Sequence, residues 1–158
     1  MLEKFKKLPL RKGVGIVLLN QNNEVFVAKR IDNPKNFWQM PQGGVDKNED
    51  FFVAALRELK EETSIVNVKL IKEIESSVTY ILPDKLIGII WKGKFKGQRL
   101  KWFVMRFIGN DTEINIKTKN AEFLDWKWID LEDLTKIAVN FKLKVYQKVQ
   151  SEVKKILS

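Results

Sequence analysis

The sequence predicts a mixed α/β fold in which a β-sheet lies between helices. Three observations lead there. Apolar and alternating segments open the chain, a helical pattern occupies 49–63, and a second helical pattern runs from Asn140 to the end after further strand-like segments. The chain has 158 residues, enough for one domain with its own core, and one domain is expected over residues 1–158.

Gly13 to Leu19 (GVGIVLL) is a short apolar run and reads as a buried strand. Asn20–Asn23 supplies a turn. Glu24 to Arg30 then alternates, with Val25 and Val27 on one face, so the two strands predict a hairpin. Residues 32–36 (DNPKN) read as a loop, and Phe37 to Pro41 leads into Gly43-Gly44. Glu49 to Thr63 predicts a helix whose apolar stripe is Phe52, Leu56, Leu59 and Thr63. Val66–Ile74, Ser77–Leu82, Lys101–Ile108 and Glu122–Ile129 read as further strands. Gly88–Gly97 fits a strand, a loop or both, and Gly109–Asn120 reads as a polar loop. Leu131–Ile137 predicts a short helix with Asp130 as its N-cap. In the terminal helix Val145, Val149, Val153 and Ile156 recur at helical spacing.

Composition removes several kinds of chemistry. The chain has no cysteine, hence no disulfide and no thiol nucleophile. It has no histidine, which takes away imidazole as base or ligand and argues against zinc. Any metal must be bound by carboxylates, which favours a hard cation such as Mg2+, with Mn2+ as the alternative. No apolar run approaches the roughly 18 residues of a membrane span. The basic opening MLEKFKKLPLRKG is not followed by the apolar stretch of a secretory leader, so a cytoplasmic location is expected. The net charge of +9 suits anionic partners such as RNA or polyphosphates, although a charge excess alone is as well read as compositional bias.

The densest signal is residues 43–65, GGVDKNEDFFVAALRELKEETSI. Five residues separate Gly43 from Glu49, and seven separate Glu49 from Arg57-Glu58-Leu59-Lys60-Glu61-Glu62. On a helix at about 100° per residue, Glu58, Glu61 and Glu62 fall on one side, away from Phe52 and Leu59. Like charges at i, i+3 and i, i+4 destabilise a helix by roughly 0.2–0.5 kcal/mol per pair, and a divalent cation would reverse that. RELKEE alone reads as a solvated helix face; the glycine and Glu49 at these spacings change the reading.

The whole pattern resembles the Nudix box, the signature of hydrolases that cleave a diphosphate linked to another group. The resemblance implies an α/β/α sandwich with a mixed sheet. It implies Glu61 and Glu62 as principal metal ligands, Glu58 as ligand or general base, and Arg57 paired with Glu49 to orient the glutamates. Gly43 and Gly44 would form the tight loop before the helix, with a backbone carbonyl at Gly43 also reaching metal. Ser64 stands where the box has glycine. A left-handed helix end at serine costs roughly 1 kcal/mol.

Segments outside the box resemble the bacterial RNA pyrophosphohydrolases and the related dinucleoside polyphosphate hydrolases. They are WQMPQGG at 38–44, GQRLKWF at 97–103, EF with WKW at 122–128, and VNFK with VY at 139–146. The resemblance implies Glu122 as an assisting carboxylate for metal or catalysis, and Arg11 and Arg30 as arginines near the RNA end. It implies Phe141 stacking on a base with Arg30 on the other face, Val139 lining that pocket, and Gln98 and Lys101 as phosphate contacts. Trp38, Trp102, Trp126 and Trp128 read as core. The expected activity is removal of pyrophosphate from 5′-triphosphorylated RNA, leaving a 5′-monophosphate and exposing messages to decay. Asymmetric cleavage of diadenosine oligophosphates is the alternative, and a non-catalytic RNA- or nucleotide-binding module the second. No reading of DNA sequence and no membrane partner is expected.

Overall fold

The computed structural model describes residues 1–32 and 35–158, so part of the loop expected at 32–36, namely Asn33 and Pro34, lies outside the described residues. The elements are α1 (Glu3–Lys6), β1 (Leu10–Leu19), β2 (Val25–Arg30), β3 (Gln42–Gly44), α2 (Phe51–Thr63), β4 (Val68–Glu73), β5 (Val78–Ile81), β6 (Gly97–Phe107), β7 (Phe123–Ile129) and α3 (Leu143–Leu157).

The strands form one seven-stranded mixed sheet ordered β4-β6-β1-β2-β7, with β3 on β1 and β5 on β6. The expected hairpin is present, closing at Leu19 opposite Val25. Strands β1 and β6 run parallel in unbroken register from Leu10–Gly97 to Leu19–Arg106. That pairing explains why both begin earlier than hydropathy suggests. Leu10-Arg11-Lys12 and Gly97-Gln98-Arg99 are recruited by the hydrogen-bond ladder rather than by their own apolar pattern.

Because side chains alternate along a strand, the central strands supply two cores. Val14, Ile16, Leu18, Phe103 and Met105 meet Ala54, Ala55 and Leu59 of α2. Val17, Leu19, Trp102 and Val104 join Val145, Tyr146, Val149 and Val153 of α3 on the opposite face. The layers are therefore α/β/α. Leu59 is fully buried, and Leu59→Ala would cost about 2–5 kcal/mol.

Three expectations about elements are corrected. The α2 stripe is rotated: Phe52 and Leu56 are only half-buried, whereas Ala54, Ala55 and Glu62 are buried with Leu59 and Thr63. The small alanines let the helix approach the sheet closely, which turns Glu62 inward. The helix expected at 131–137 is a single 3₁₀ turn, Leu131–Asp133, and the Asp130 side chain caps nothing. Gly43 and Gly44 are not a loop but lie in β3, opposite Val14 and Gly13. The ambiguous 88–97 segment is a 3₁₀ turn at Ile90–Gly93 before β6 begins, and the short helix α1 was not foreseen.

Ser64 ends α2 in the left-handed region, φ 67°, with its N–H donating to Lys60 O at 2.9 Å. Its hydroxyl donates to Asn115 O at 2.9 Å, which ties the strained residue to the 109–120 loop. Among the described residues no helix is long and apolar enough to cross a membrane.

Candidate active site

Asp50 starts α2 by accepting from the N–H groups of Phe52 and Val53. The helix then carries Arg57 and the glutamates to the rim beside β3. Arg57 is the hub. Its Nε and Nη2 donate to Glu49 Oε2 and Oε1 at 2.8 and 2.9 Å, a bidentate pair, and Nη2 also donates to Gly44 O at 2.9 Å. Its Nη1 donates to Glu58 Oε1 at 3.0 Å and Glu61 Oε2 at 3.2 Å. One guanidinium thus ties the β3 backbone to Glu49, Glu58 and Glu61. Arg57, helped by the Asp46 N–H, holds the Glu49 carboxyl down at about 2.

The two glycines of β3 are explained by close approach, not by backbone twist. A Cβ on Gly43 would collide with the Glu58 carboxyl, and a Cβ on Gly44 would collide with the Arg11 guanidinium. Each absent side chain makes room for a charged group.

The three helix glutamates are unequally exposed. The Glu61 side chain is 58% exposed, Glu58 15%, and Glu62 as a residue only 4%. Burial raises Glu58, against the pull of Arg57, and raises Glu62 well above the usual carboxylate range. Glu122 and Glu58 push Glu62 the same way, so Glu122, which precedes β7, shares its environment. Glu62 Oε2 is buried without a hydrogen-bond partner. Among the described residues no three acidic side chains are drawn together as a ready cation cage. The donor set nevertheless fits a hard divalent cation. It is all oxygen, it concentrates negative charge, and it includes an orphaned buried carboxylate oxygen that a cation would satisfy.

On the other face of the sheet, Arg30 lies where β2 and β7 lose register between Lys29 and Arg30. Its Nε and Nη2 donate to both oxygens of Asp32 at 2.7 and 2.8 Å. With Trp38, Gln39, Val139, Lys142 and Tyr146 it lines a cavity of about 30 Å³, well below the roughly 300 Å³ of an ordinary ligand pocket. Phe141, expected to stack on a base opposite Arg30, packs on Tyr80 with ring centroids 5.8 Å apart and is half-buried. The structure therefore brings Arg30 and Val139 to one cavity and seats Phe141 against its neighbour in the core.

Two expected phosphate contacts are placed differently. Gln98 is fully buried, accepts from Tyr80 Oη at 2.9 Å, and is shielded by Gln42. β6 turns it towards the α3 face, away from the exposed surface. Lys101 is half-buried and paired with Glu73 at 2.9 Å. Arg11 lines a separate cavity of about 420 Å³ with Lys12, Gly44, Asp46 and Glu58. Of the tryptophans read as core, only Trp102 is fully buried; Trp38, Trp126 and Trp128 are half-buried.

Lys142, beside Arg30 in the smaller cavity, is not singled out by sequence reasoning. It is 8% exposed, its Nζ lies 5.4 Å from the Tyr80 ring and 3.4 Å from Gln42 Oε1, and burial with help from Arg30 lowers it to about 7. A signal was available: Lys142 stands three residues before Val145 and seven before Val149, in line with the buried stripe of α3. Glu62 gave the same signal, three residues after Leu59 and seven after Ala55.

The NUDIX domain model matches residues 9–149. The chain belongs to the Nudix family. Among its Nudix relatives, a Pelagibacter ubique protein named RNA pyrophosphohydrolase is 66% identical over 151 residues, 96% of each chain. A Rhodospirillum rubrum protein of the same name is 47% identical over 92% of this chain and 88% of the relative. The Nudix fold is shared with the E. coli dihydroneopterin triphosphate pyrophosphohydrolase, at TM-score 0.70 and 23% identity over 90% of this chain and 97% of that one. It is also shared with a C. elegans Ap4A hydrolase, at TM-score 0.63 and 22% identity over 90% and 98%. Nudix hydrolases act on phosphoanhydride bonds and generally need a divalent metal, which agrees with the oxygen-rich donor set of this chain.

Proposed function

We propose that the protein is an RNA pyrophosphohydrolase that converts a 5′-triphosphate end of RNA to a 5′-monophosphate and releases pyrophosphate. The observation that carries this reading is the 66% identity over 96% of the chain with a protein of that name. The two solved neighbours named above share less than 25% identity and speak only for the fold. Glu49, Glu58, Glu61, Glu62 and Arg57 are all present, and Arg57 bonds to the first three, which favours turnover over a non-catalytic binding module.

In this reading Glu61, Glu62, Glu122 and the Gly43 carbonyl would hold the divalent cation, with Glu58 beside them as ligand or base; the hardness of the donors suits Mg2+, with Mn2+ as substitute. When bound, that cation neutralises phosphate oxygens and lowers the pKa of water. The chain's own residues do the rest. Arg57 keeps Glu58 and Glu61 aimed at the rim through its pair with Glu49. Water attacks a phosphorus of the anhydride, the bridging P–O bond breaks, pyrophosphate leaves with the bonding electrons, and a glutamate takes the water proton. Glu58 is assigned that proton, because its carboxyl lies against Gly43 and burial raises it above the usual carboxylate range. Arg11 faces the anionic tail, and Arg30, Val139 and Phe141 face the base, where stacking contributes about 1–3 kcal/mol. A cytoplasmic site of action suits an RNA substrate.

The deciding experiment compares kcat/KM for triphosphorylated short RNA and for diadenosine tetraphosphate under the same magnesium concentration. The expected result is a clear preference for RNA. A preference for the dinucleotide would replace this reading with asymmetric dinucleoside polyphosphate hydrolysis.

A further inference from the structure

Arg11 has two neighbours that fix its position. One side of its guanidinium lies against Gly44, where a Cβ would collide with Nη2. On its aromatic side the Trp91 ring centroid is 5.3 Å from Cζ. Among the described residues no acidic side chain forms an ion pair with Arg11. The acids that share its cavity, Glu58 and Asp46, are engaged by Arg57 at 3.0 and 3.7 Å. Arg11 is therefore a cation without an acidic partner among the described residues, held between a ring and a backbone, and it is one of the residues that line a cavity of about 420 Å³ beside Glu58.

The segment that delivers Trp91 is built at a conformational cost. Trp91 (φ 53°, ψ 35°) and Lys92 (φ 58°, ψ 27°) are both left-handed, a conformation that L side chains adopt reluctantly, and two in succession compound the strain. Gly88 (φ 96°) and Gly93 (φ 74°) take the other left-handed turns. The base of the segment is fastened: Leu82 N donates to Lys96 O at 2.9 Å, and Lys96 N donates to Pro9 O at 3.1 Å, next to β1. Phe95, edge-on to Trp91 at 6.1 Å, forms part of the same cavity wall. Indole is the aromatic face with the strongest attraction for a cation.

We propose that Trp91 is a positioning residue that holds Arg11 over this cavity as the contact for the terminal phosphates of the substrate and for the pyrophosphate released. The identity of that ligand rests on the RNA pyrophosphohydrolase reading; the positioning rests on the geometry of Arg11, Gly44 and Trp91. Trp91 does not touch the reacting atoms. It narrows the range of Arg11 so that the guanidinium meets the anion without first losing its own freedom.

The test uses the full chain and inorganic pyrophosphate with magnesium, measured by titration calorimetry, beside steady-state turnover of triphosphorylated RNA. Trp91→Ala is expected to weaken pyrophosphate binding and to raise KM for RNA, each by about three- to tenfold, with kcat nearly unchanged. Trp91→Leu, which keeps apolar bulk but has no ring, should behave like Trp91→Ala, and Trp91→Phe should recover most of the loss. In an Arg11→Ala background, Trp91→Ala should add less than about twofold, because the residue it positions is gone. Unchanged pyrophosphate affinity in Trp91→Ala and Trp91→Leu would overturn the proposal. So would an equal loss with and without Arg11, or a wild-type protein that binds no pyrophosphate. If the binding pattern holds but RNA is not hydrolysed, the substrate reading falls and the positioning role stands. If RNA is hydrolysed but the pattern is absent, the positioning role alone falls.

Discussion

The α2 face and the α3 face of the sheet carry unlike halves of one site. On the α2 face, Arg57 gathers Glu49, Glu58, Glu61 and the Gly44 carbonyl through direct hydrogen bonds, and an open cavity of about 420 Å³ lies beside them. On the α3 face the cavity beside Arg30 and Lys142 is about 30 Å³, Arg30 is clasped by Asp32, and Phe141 rests on Tyr80. In the proposed reading, the half that would meet phosphate is assembled in advance, and the half that would meet the base is closed against its own side chains. The chemistry needs charges fixed to a fraction of an ångström. Recognition of a base tolerates a surface that opens as the base arrives.

The largest break in that comparison is Glu62→Gln. Hydrolysis of triphosphorylated RNA should fall on the order of a thousandfold, the range of a lost acid–base or metal-holding group. Without divalent metal, the urea midpoint should hold or rise. The wild-type carboxylate is buried with Oε2 unpartnered, and burial, Glu122 and Glu58 all oppose its charge. A lost fold, or full activity, would remove Glu62 from the site.

The same contrast explains what could be read before the fold was known. The phosphate half is a local pattern: Glu49, Arg57, Glu58, Glu61 and Glu62 lie within one loop and helix, so spacing alone brings them together. The β1–β2 hairpin was legible for the same reason. The α3-face half is assembled by topology. Gln98 and Tyr80 meet because β5 pairs with β6, with Tyr80 opposite Gln98. Gln42 reaches them through β3, and Lys142 through the turn before α3. No spacing in the chain announces that meeting, so nothing in the sequence signals that Gln98, Tyr80 and Gln42 share one cluster. The rotation of α2 was hidden for another reason. Phe52 and Leu56 outweigh Ala54 and Ala55 on any hydropathy scale, yet the small residues are the ones that let a helix approach a sheet.

Lys142 sharpens the view of the closed half. Burial, then Arg30, lowers its ammonium from 10.5 to about 7. The unfolded chain keeps that proton until roughly pH 10.5. Between those limits the unfolded state binds more protons, so stability rises with pH, and the full cost of charging Lys142 is present below about pH 7. Urea unfolding should gain on the order of 2 kcal/mol between about pH 7 and pH 9. Lys142→Met should flatten that rise. An unaltered pH profile in the variant would show that the amine is hydrated and the pocket open.

Phe141→Ala asks whether the closed half opens to a base. Its kcat/KM on triphosphorylated RNA should fall about tenfold, within the range for one lost stack, and less on a small nucleotide triphosphate. Because Phe141 also packs on Tyr80, a stability loss is expected in addition. Equal kinetic losses on both substrates would make Phe141 packing alone.

The smallest effect belongs to Ser64, at the far end of the helix that carries the charges. Its φ of 67° is a conformation in which glycine carries no Cβ penalty. Ser64→Gly should relieve roughly 1 kcal/mol of that strain and give up the exposed hydrogen bond to Asn115 O, a contribution of about 0.5–1.5 kcal/mol. The two changes nearly cancel, so the unfolding midpoint should move by less than about 1 kcal/mol in either direction. Activity should be unchanged, because Glu58, Glu61 and Arg57 are held at the other end by Glu49 and Gly44 rather than by the C-terminal turn. A drop in kcat in Ser64→Gly with stability intact would mean that the link from Ser64 to the 109–120 loop helps place Glu62, two residues upstream. The phosphate half would then depend on a contact well outside its local pattern.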